Sequence, residues 1–247
     1  MPWKTLPATM KFTDRAKEGA QVKRSVAFVL SIASVATLTA AAQAHHKPGH
    51  QGGPQNSLTI DARPNPVVYF RTTTIFGRYR AQNNAAQTIG LQRDRWPFEG
   101  NWVDAGTDTT DAQGDYSFTA RPPVNTRYRT RRAGTNPSVA VSVGVRIRVS
   151  RGVSDRTPEV GQRVRFRGRA CPQHDEALVS IQRLNRTTNR WRTVRRTTLR
   201  DIPGSSCSRY RRTFPVFRDG TYRVVVISPH GDHRNGISRR IRLDAHS

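Results

Sequence analysis

An alternation of arginine with apolar or small residues constrains the fold of this chain more than any other feature of its sequence. In the stretch 162–171, QRVRFRGRAC, arginine occupies every second position and Val, Phe, Gly or Ala occupies the positions between. Successive side chains of a β-strand point to opposite faces, so this period-two pattern predicts a strand. One face of that strand is expected to be buried, and the other is expected to carry arginines into water.

Strand-forming composition continues along the rest of the chain. Short runs of Val, Thr, Tyr, Phe and Ile are separated by Gly, Pro, Asn and Asp. β-branched and aromatic residues favour strands, and the separating residues favour turns. No long amphipathic helix pattern is found, so we predict an all-β protein.

The N-terminal part of the chain predicts export. Basic residues precede the apolar run 25–41, and the small-residue sequence AQA at 42–44 follows it, so residues 1–44 are predicted to be a signal peptide. The alternative is an uncleaved membrane anchor, because the run approaches the roughly 20 residues that span a bilayer. Residues 45–57 are rich in His, Gly and Pro and are expected to form a flexible tail. A secreted or cell-surface location follows.

From residue 58 onwards the sequence is built twice. The segment IFGR at 75–78 corresponds to FRGR at 166–169, and LQR at 91–93 corresponds to IQR at 181–183. Aromatic residues repeat in the same order, with Trp102, Tyr116 and Tyr128 matching Trp191, Tyr210 and Tyr222. Near-equal spacing indicates a tandem repeat of roughly 90 residues, and about seven strand candidates per copy are the number found in an immunoglobulin-like sandwich. We predict two antiparallel β-sandwiches, at 58–144 and 145–247.

In these motifs the chain resembles the tandem immunoglobulin-like repeats of secreted and surface proteins of GC-rich bacteria. The resemblance rests on GR, LQR, W, TTDAQGDYSFTARP and RYR in the first copy and on GRAC, IQR, WRTV, YRRTF and TYRVVV in the second. It implies a spacer, stalk or adhesion module and brings no catalytic residues with it.

Both cysteines of the chain, Cys171 and Cys207, lie in the second copy. In an immunoglobulin-like strand order the second strand ends beside the start of the antiparallel fifth strand, and the two cysteines occupy these places. An exported chain with an even number of cysteines predicts a disulfide between them. The alternative is a pair of buried thiols. A CxxC spacing, which would indicate redox or zinc chemistry, is absent.

Positive charge is concentrated in the second copy. The formal net charge is +25, and residues 151–247 hold 22 arginines and 8 acidic residues, against 13 and 7 in residues 57–150. Eight outward arginines are predicted to form one anion-binding face if their three strands share a sheet. These are Arg146, Arg148, Arg163, Arg165, Arg167, Arg169, Arg209 and Arg211. The alternative is a solvated face whose arginines reflect codon usage.

The chemistry of arginine limits the partners of such a face. The planar guanidinium suits phosphate, sulfate and carboxylate groups. Anionic wall polymers, acidic polysaccharide or other extracellular proteins are the expected partners, and nucleic acid is less favoured. A membrane is an expected partner only if the signal segment is not cleaved.

Histidines do not form a recognisable catalytic or metal-binding set. The tightest grouping in the folded part, HGDH at 230–233, sits in a predicted turn and has neither a nucleophile nor a third zinc ligand. We therefore predict no enzyme, no cofactor and no metal site. The first functional hypothesis is an exported, non-catalytic spacer or adhesion-type interaction protein. The second is a polyanion-binding module that uses the arginine face of the second sandwich, and the third is a metal enzyme.

Overall fold

The structure, a computed structural model, describes residues 56–247. The predicted signal peptide and nearly all of the predicted tail lie outside these residues. The described part contains strands and no α-helix, and so no helix that could cross a membrane. The strands in chain order are β1 (Ser57–Leu58), β2 (Asp61–Arg63), β3 (Val67–Val68), β4 (Thr73–Arg80), β5 (Thr88–Arg95), β6 (Val103–Thr109), β7 (Asp115–Ala120), β8 (Thr126–Arg131), β9 (Val141–Val143), β10 (Val145–Arg146), β11 (Arg148–Val149), β12 (Gly152–Val153), β13 (Arg163–Cys171), β14 (Leu178–Asn185), β15 (Arg190–Thr198), β16 (Ser208–Pro215), β17 (Gly220–Val226), β18 (Gly236–Ile237) and β19 (Ile241–Leu243).

The strands form two pairs of antiparallel sheets. In the first sandwich, β1 and β2 pair with β4, which also pairs with β7, while the second sheet has the order β6-β5-β8-β9. In the second sandwich, β11 and β12 pair with β13, which also pairs with β16, while β15, β14 and β17 form the other sheet with β18 and β19. The short strands β3 and β10 form a separate parallel pair. The prediction of an all-β chain folded into β-sandwiches is confirmed.

Each pair of sheets encloses its own cluster of buried side chains. Along β13 the predicted alternation is present, because Val164 and Phe166 are fully buried while Arg167 is exposed. The first cluster extends to Val145 and the second begins at Ile147. The two cores therefore meet at this point of the chain, whereas the sequence placed the boundary before Val145. The reason is the pairing of β10 with β3, which draws Val145 into the first core.

A glycine and a tyrosine occupy equivalent positions in the two sandwiches. Gly77 lies opposite Tyr116 between β4 and β7, and Gly168 lies opposite Tyr210 between β13 and β16. The Tyr210 hydroxyl donates a hydrogen bond to the carbonyl of Ser150 at 2.9 Å, and Tyr116 makes the corresponding bond in the first sandwich. A Cβ atom at either glycine would collide with the tyrosine and with that carbonyl. The matching glycines of the repeat are therefore required by packing.

A glutamine, an arginine and a tryptophan form the same stack in both sandwiches. In each sandwich the glutamine directly follows a register shift, in β5 of the first and in β14 of the second. Its Oε1 accepts a hydrogen bond from the arginine Nε, at 2.9 Å in the first sandwich and 2.8 Å in the second. The guanidinium lies over the indole ring, 4.2 Å from the ring centre in the first sandwich and 4.1 Å in the second. The members are Gln92, Arg129 and Trp102 in the first sandwich and Gln182, Arg223 and Trp191 in the second. A cation over an indole face is attractive, so the stack covers the tryptophan without burying it fully.

The predicted disulfide between Cys171 and Cys207 is present. It joins the end of β13 to the residue before β16, which are neighbouring antiparallel strands. The cross-link lies in the second sandwich, and the first sandwich has no cysteine. The second sandwich therefore has a covalent tie that its partner in the repeat lacks.

Asn125 connects the first sandwich to the loop between β17 and β18. Its backbone nitrogen donates to the carbonyl of Asp232 at 2.8 Å, and its Nδ2 donates to the carbonyl of Gly231 at 2.7 Å. Its Oδ1 accepts a hydrogen bond from the backbone of Val145 at 2.7 Å. One side chain thus ties this loop to the strand that leads from one core to the next.

Candidate functional site

Four arginines of the second sandwich face one another across β13 and β16. Arg167 lies directly opposite Arg211, and Arg169 lies directly opposite Arg209. All four are exposed. Opposed residues of an antiparallel pair have Cβ atoms about 5 Å apart, and like charges at that distance repel. This arrangement favours an anion between the guanidinium groups.

The same four arginines line a groove of about 450 Å³ together with Arg151. The guanidinium of Arg151 is held by the carbonyl of Arg240, to which its Nη2 donates at 2.8 Å. Burial raises the pKa of Tyr210, which also lines the groove, so its phenol stays neutral. No acidic residue lines the groove, and its electrostatic character is therefore uniformly positive.

A second groove of about 520 Å³ adjoins the first one. Its lining includes five arginines and no acidic residue, and it shares Ser150 and Arg151 with the first groove. We call the arginines of the two grooves the arginine track. Its members are Arg71, Arg146, Arg148, Arg151, Arg167, Arg169, Arg209, Arg211 and Arg239. The track crosses from the sheet of β13 to residues of the first sandwich, because Arg71 lies between β3 and β4.

Within residues 56–247, no arginine of the track has a carboxylate within 4.0 Å. Arginines elsewhere do form ion pairs, such as Arg78 with Asp115 at 2.5 Å and Arg242 with Asp244 at 2.5 Å. The hydrogen bond from Arg78 holds the pKa of Asp115 below its ordinary value. The arginines of the track are thus left available for anions that do not belong to the described residues.

Six of the eight arginines predicted from the sequence belong to the track. Arg163 and Arg165 lie on β13 as predicted but line neither groove. Arg148 lies on β11, which pairs with β13, but Arg146 lies on β10 and pairs with β3. The predicted strand at 145–149 is thus divided: β11 shares one sheet with β13 and β16, whereas β10 does not, and Arg146 reaches the track through the adjoining groove.

Three arginines of the track were not predicted. Arg151 follows the end of β11, Arg71 belongs to a loop of the first copy, and Arg239 lies between β18 and β19. None of them belongs to an alternating pattern, so sequence periodicity gives no signal for them. Local charge density is the one available indication, and it does not show which arginines meet.

The equivalent groove of the first sandwich has the opposite charge. It lies at Gly77 and Tyr116, has a volume of about 710 Å³, and is lined by four aspartates as well as two arginines. The aspartates are Asp61, Asp108, Asp111 and Asp115. A positive groove is therefore a property of the second copy and does not follow from the fold.

A scan against protein-family models found no match for the chain, and neither did a search of curated proteins. The function is accordingly inferred from the geometry and charge of the described residues.

Proposed function

We propose that this protein is an exported, non-catalytic interaction protein of two immunoglobulin-like domains, and that it binds linear polyanions along the arginine track. Three sets of observations support the proposal: the order of the strands, the cross-link and the charge of the track.

The order of the strands supports an immunoglobulin-like fold. In the first sandwich the sheet of β1, β2, β4 and β7 faces the sheet β6-β5-β8-β9. We count β1 and β2 as the first strand, β4 as the second and β5 to β9 as the third to seventh. The first, second and fifth strands then face the third, sixth and seventh, as in immunoglobulin domains, and the fourth strand, β6, pairs with the third. The second sandwich repeats this order. The Cys171–Cys207 disulfide agrees with export, because such cross-links persist in oxidising compartments.

The observation that carries the proposed function concerns two adjoining grooves. They are lined by nine arginines, none of which has a carboxylate within 4.0 Å among the described residues, and no acidic residue lines either groove. A small anion would use one or two of these groups. A polymer with repeated phosphate, sulfate or carboxylate groups can contact several of them at once, and each arginine can bind such a group with two parallel hydrogen bonds. Acidic polysaccharides and anionic wall polymers have this chemistry.

The test is binding to an immobilised sulfated polysaccharide and to polyphosphate, with neutral dextran as the uncharged control. We expect the affinity for both polyanions to fall steeply as salt rises, because binding releases counterions. Replacing Arg167, Arg169, Arg209 and Arg211 by Ser should weaken binding at least tenfold. If all four contact the polymer, the slope of log affinity against log salt should become shallower by about 3.

The matched control removes four exposed arginines from β15 and the turn before it, on the opposite side of the same sandwich. The control variant replaces Arg186, Arg190, Arg192 and Arg196 by Ser and changes the net charge equally. It should retain most of the affinity. Equal losses in the two variants would contradict binding on the track, and no binding of the wild type at low salt would favour a spacer without a polyanionic ligand.

A further inference from the structure

Two histidines and an aspartate converge in the loops of the second sandwich. His174 lies in the loop after β13, while Asp232 and His233 lie in the loop between β17 and β18. His174 Nε2 lies 3.3 Å from Asp232 Oδ2, and His233 Nδ1 lies 2.9 Å from the same oxygen. One ligand atom from each residue lies within 4.8 Å of the other two. The side chains are 4% (His174), 3% (His233) and 20% (Asp232) exposed.

The outer nitrogen of each imidazole is assigned by its contact with a backbone carbonyl. His174 Nδ1 lies 3.1 Å from the carbonyl oxygen of Pro172, and His233 Nε2 lies 2.8 Å from that of Pro123. A carbonyl oxygen only accepts hydrogen bonds, so each of these nitrogens carries the hydrogen and donates it. The inner nitrogen of each neutral ring then has a lone pair directed at Asp232. A carboxylate is also an acceptor, so the three groups present lone pairs to one another.

His233 Nδ1 is unsatisfied in this arrangement. Among the described residues, it is the one buried side-chain nitrogen or oxygen without a hydrogen-bond partner. It approaches Asp232 Oδ2 closely but is not aligned with it for a hydrogen bond. A buried polar atom without a partner is costly, so a group that accepts its lone pair is expected here.

A metal ion held between the three groups would accept these lone pairs. One divalent ion can bind the inner nitrogen of each ring and an oxygen of the carboxylate at the same time, because one ligand atom of each residue lies within 4.8 Å of the other two.

We propose that His174, Asp232 and His233 form a zinc-binding site. Zinc takes His nitrogen and Asp oxygen at about 2.0–2.2 Å in tetrahedral geometry, which places ligand atoms about 3.3 Å apart. The distance from His174 Nε2 to Asp232 Oδ2, 3.3 Å, fits this value, and the distance from His233 Nδ1 to the same oxygen, 2.9 Å, is slightly shorter. The hydrogen bonds from the outer nitrogens to backbone carbonyls are those that orient metal-binding histidines. Three protein ligands leave the fourth position to water.

The surrounding residues hold the ligands in place. The backbone nitrogen of His174 donates to Ser208 Oγ at 2.9 Å, and Ser208 adjoins the disulfide-bonded Cys207. Asp232 is held through its carbonyl by Asn125. The site thus links the disulfide end of the second sandwich to the loop that contacts the first sandwich, so a bound zinc would tie these two segments together.

The test measures zinc bound to the full chain, expressed without an affinity tag. Because the tail histidines can also capture metal, the background variant replaces His45, His46 and His50 by Gln. This variant should retain one zinc per chain after dialysis, and zinc should raise its melting temperature. A variant that retains no zinc, or whose melting temperature does not respond to zinc, would refute the site.

Two further variants locate the ion. In the same background, Asp232→Asn should weaken zinc binding at least 100-fold, whereas His230→Gln, in an exposed histidine of the same loop, should leave it unchanged. Zinc binding by Asp232→Asn equal to that of the background variant would overturn the proposal. Should Asp232→Asn not fold, cobalt bound to the background variant provides the readout. Intense visible absorption supports a four-coordinate site with nitrogen and oxygen ligands, and a weak six-coordinate spectrum contradicts it.

Discussion

Gly168, like Gly77 at the matching position of the first sandwich, has no room for a side chain. A Cβ atom built on it would lie 2.6 Å from both the hydroxyl and a ring carbon of Tyr210. Tyr210 is fully buried and bonded to Ser150, so it has no room to withdraw. The packing of Tyr210 therefore requires glycine at position 168, directly opposite it in the strand pair.

Gly168→Ala should destabilise the protein by about 2 kcal/mol or more, as overpacking of a core does. The measurement is the free energy of unfolding from denaturant titration. Gly152→Ala is the matched control, because Gly152 is also in a strand and a Cβ there would meet its nearest atoms at 3.8 Å. Equal costs for the two substitutions would contradict the packing described for Tyr210.

At the scale of the strand, one face of β13 packs in the core and the opposite face lines the arginine track. Val164 and Phe166 pack in the core, and Phe166 stacks on Phe214 at 5.1 Å between ring centres. The opposite face carries Arg167 and Arg169 into the track. At its end, the strand is joined to β16 by the disulfide. Changes to one face are therefore expected to affect binding, and changes to the other are expected to affect stability.

Removal of the disulfide by replacing Cys171 and Cys207 with Ser should lower the stability of the second sandwich. The cysteines are 36 residues apart. Closing a loop of this length contributes roughly 3–4 kcal/mol in the chain-entropy model. The measurement is denaturant unfolding of the variant beside the wild type with and without a reducing agent. A reducing agent that left the wild type as stable as before would contradict this contribution.

Alternation within β13 was predictable because it arises from local backbone geometry, which places successive side chains on opposite faces. The disulfide was predictable for a related reason, since the strand order of the repeat brings its two cysteines together. The arginine track was predictable in part. Arg167 and Arg169 share one strand, but Arg71 joins them only through the pairing of β3 with β10, which no local pattern reveals.

The histidine cluster was missed for the same physical reason. His233 and Asp232 are adjacent in sequence, but His174 lies 58 residues before Asp232. A loop residue has no periodicity to indicate its direction, so a third ligand from another loop becomes visible only in three dimensions. The sequence predicts no metal site, whereas the structure leads us to propose one. The zinc measurement decides between these two expectations.

At the scale of the whole described molecule, the two sandwiches are in contact through hydrogen bonds and through the rings of Tyr69 and His233. The side chain of Asn125 donates to Gly231 of the second sandwich and accepts from Val145 of the first core. The amide of Asn125 supplies both the donor and the acceptor of these two hydrogen bonds, and a smaller side chain such as Ala has neither group. The loop that carries Asp232 is held against the first sandwich by these contacts.

Asn125→Ala should loosen this contact while leaving each core intact. We expect faster hydrogen exchange at the amide of Val145, which loses its acceptor, and in the loop 228–235, which loses the hydrogen bond to the Gly231 carbonyl. The free energy of unfolding should fall by about 1–3 kcal/mol, because the backbone nitrogen of the buried Val145 is left unpaired. Asn101→Ala is the control, since the side chain of Asn101 is exposed and bonds only to Glu99. Unchanged exchange at Val145 would contradict the role of Asn125.

The aspartate-lined groove of the first sandwich and the arginine-lined groove of the second distribute charge unevenly over the described residues. Near an anionic surface or polymer, such an uneven distribution experiences a torque before any contact is made. If the track binds polyanions as proposed, the second sandwich would be turned towards the ligand during approach, and the aspartates of the first sandwich would be turned away. The orientation in which the protein arrives would then be set at a distance, before the ligand reaches the arginine track.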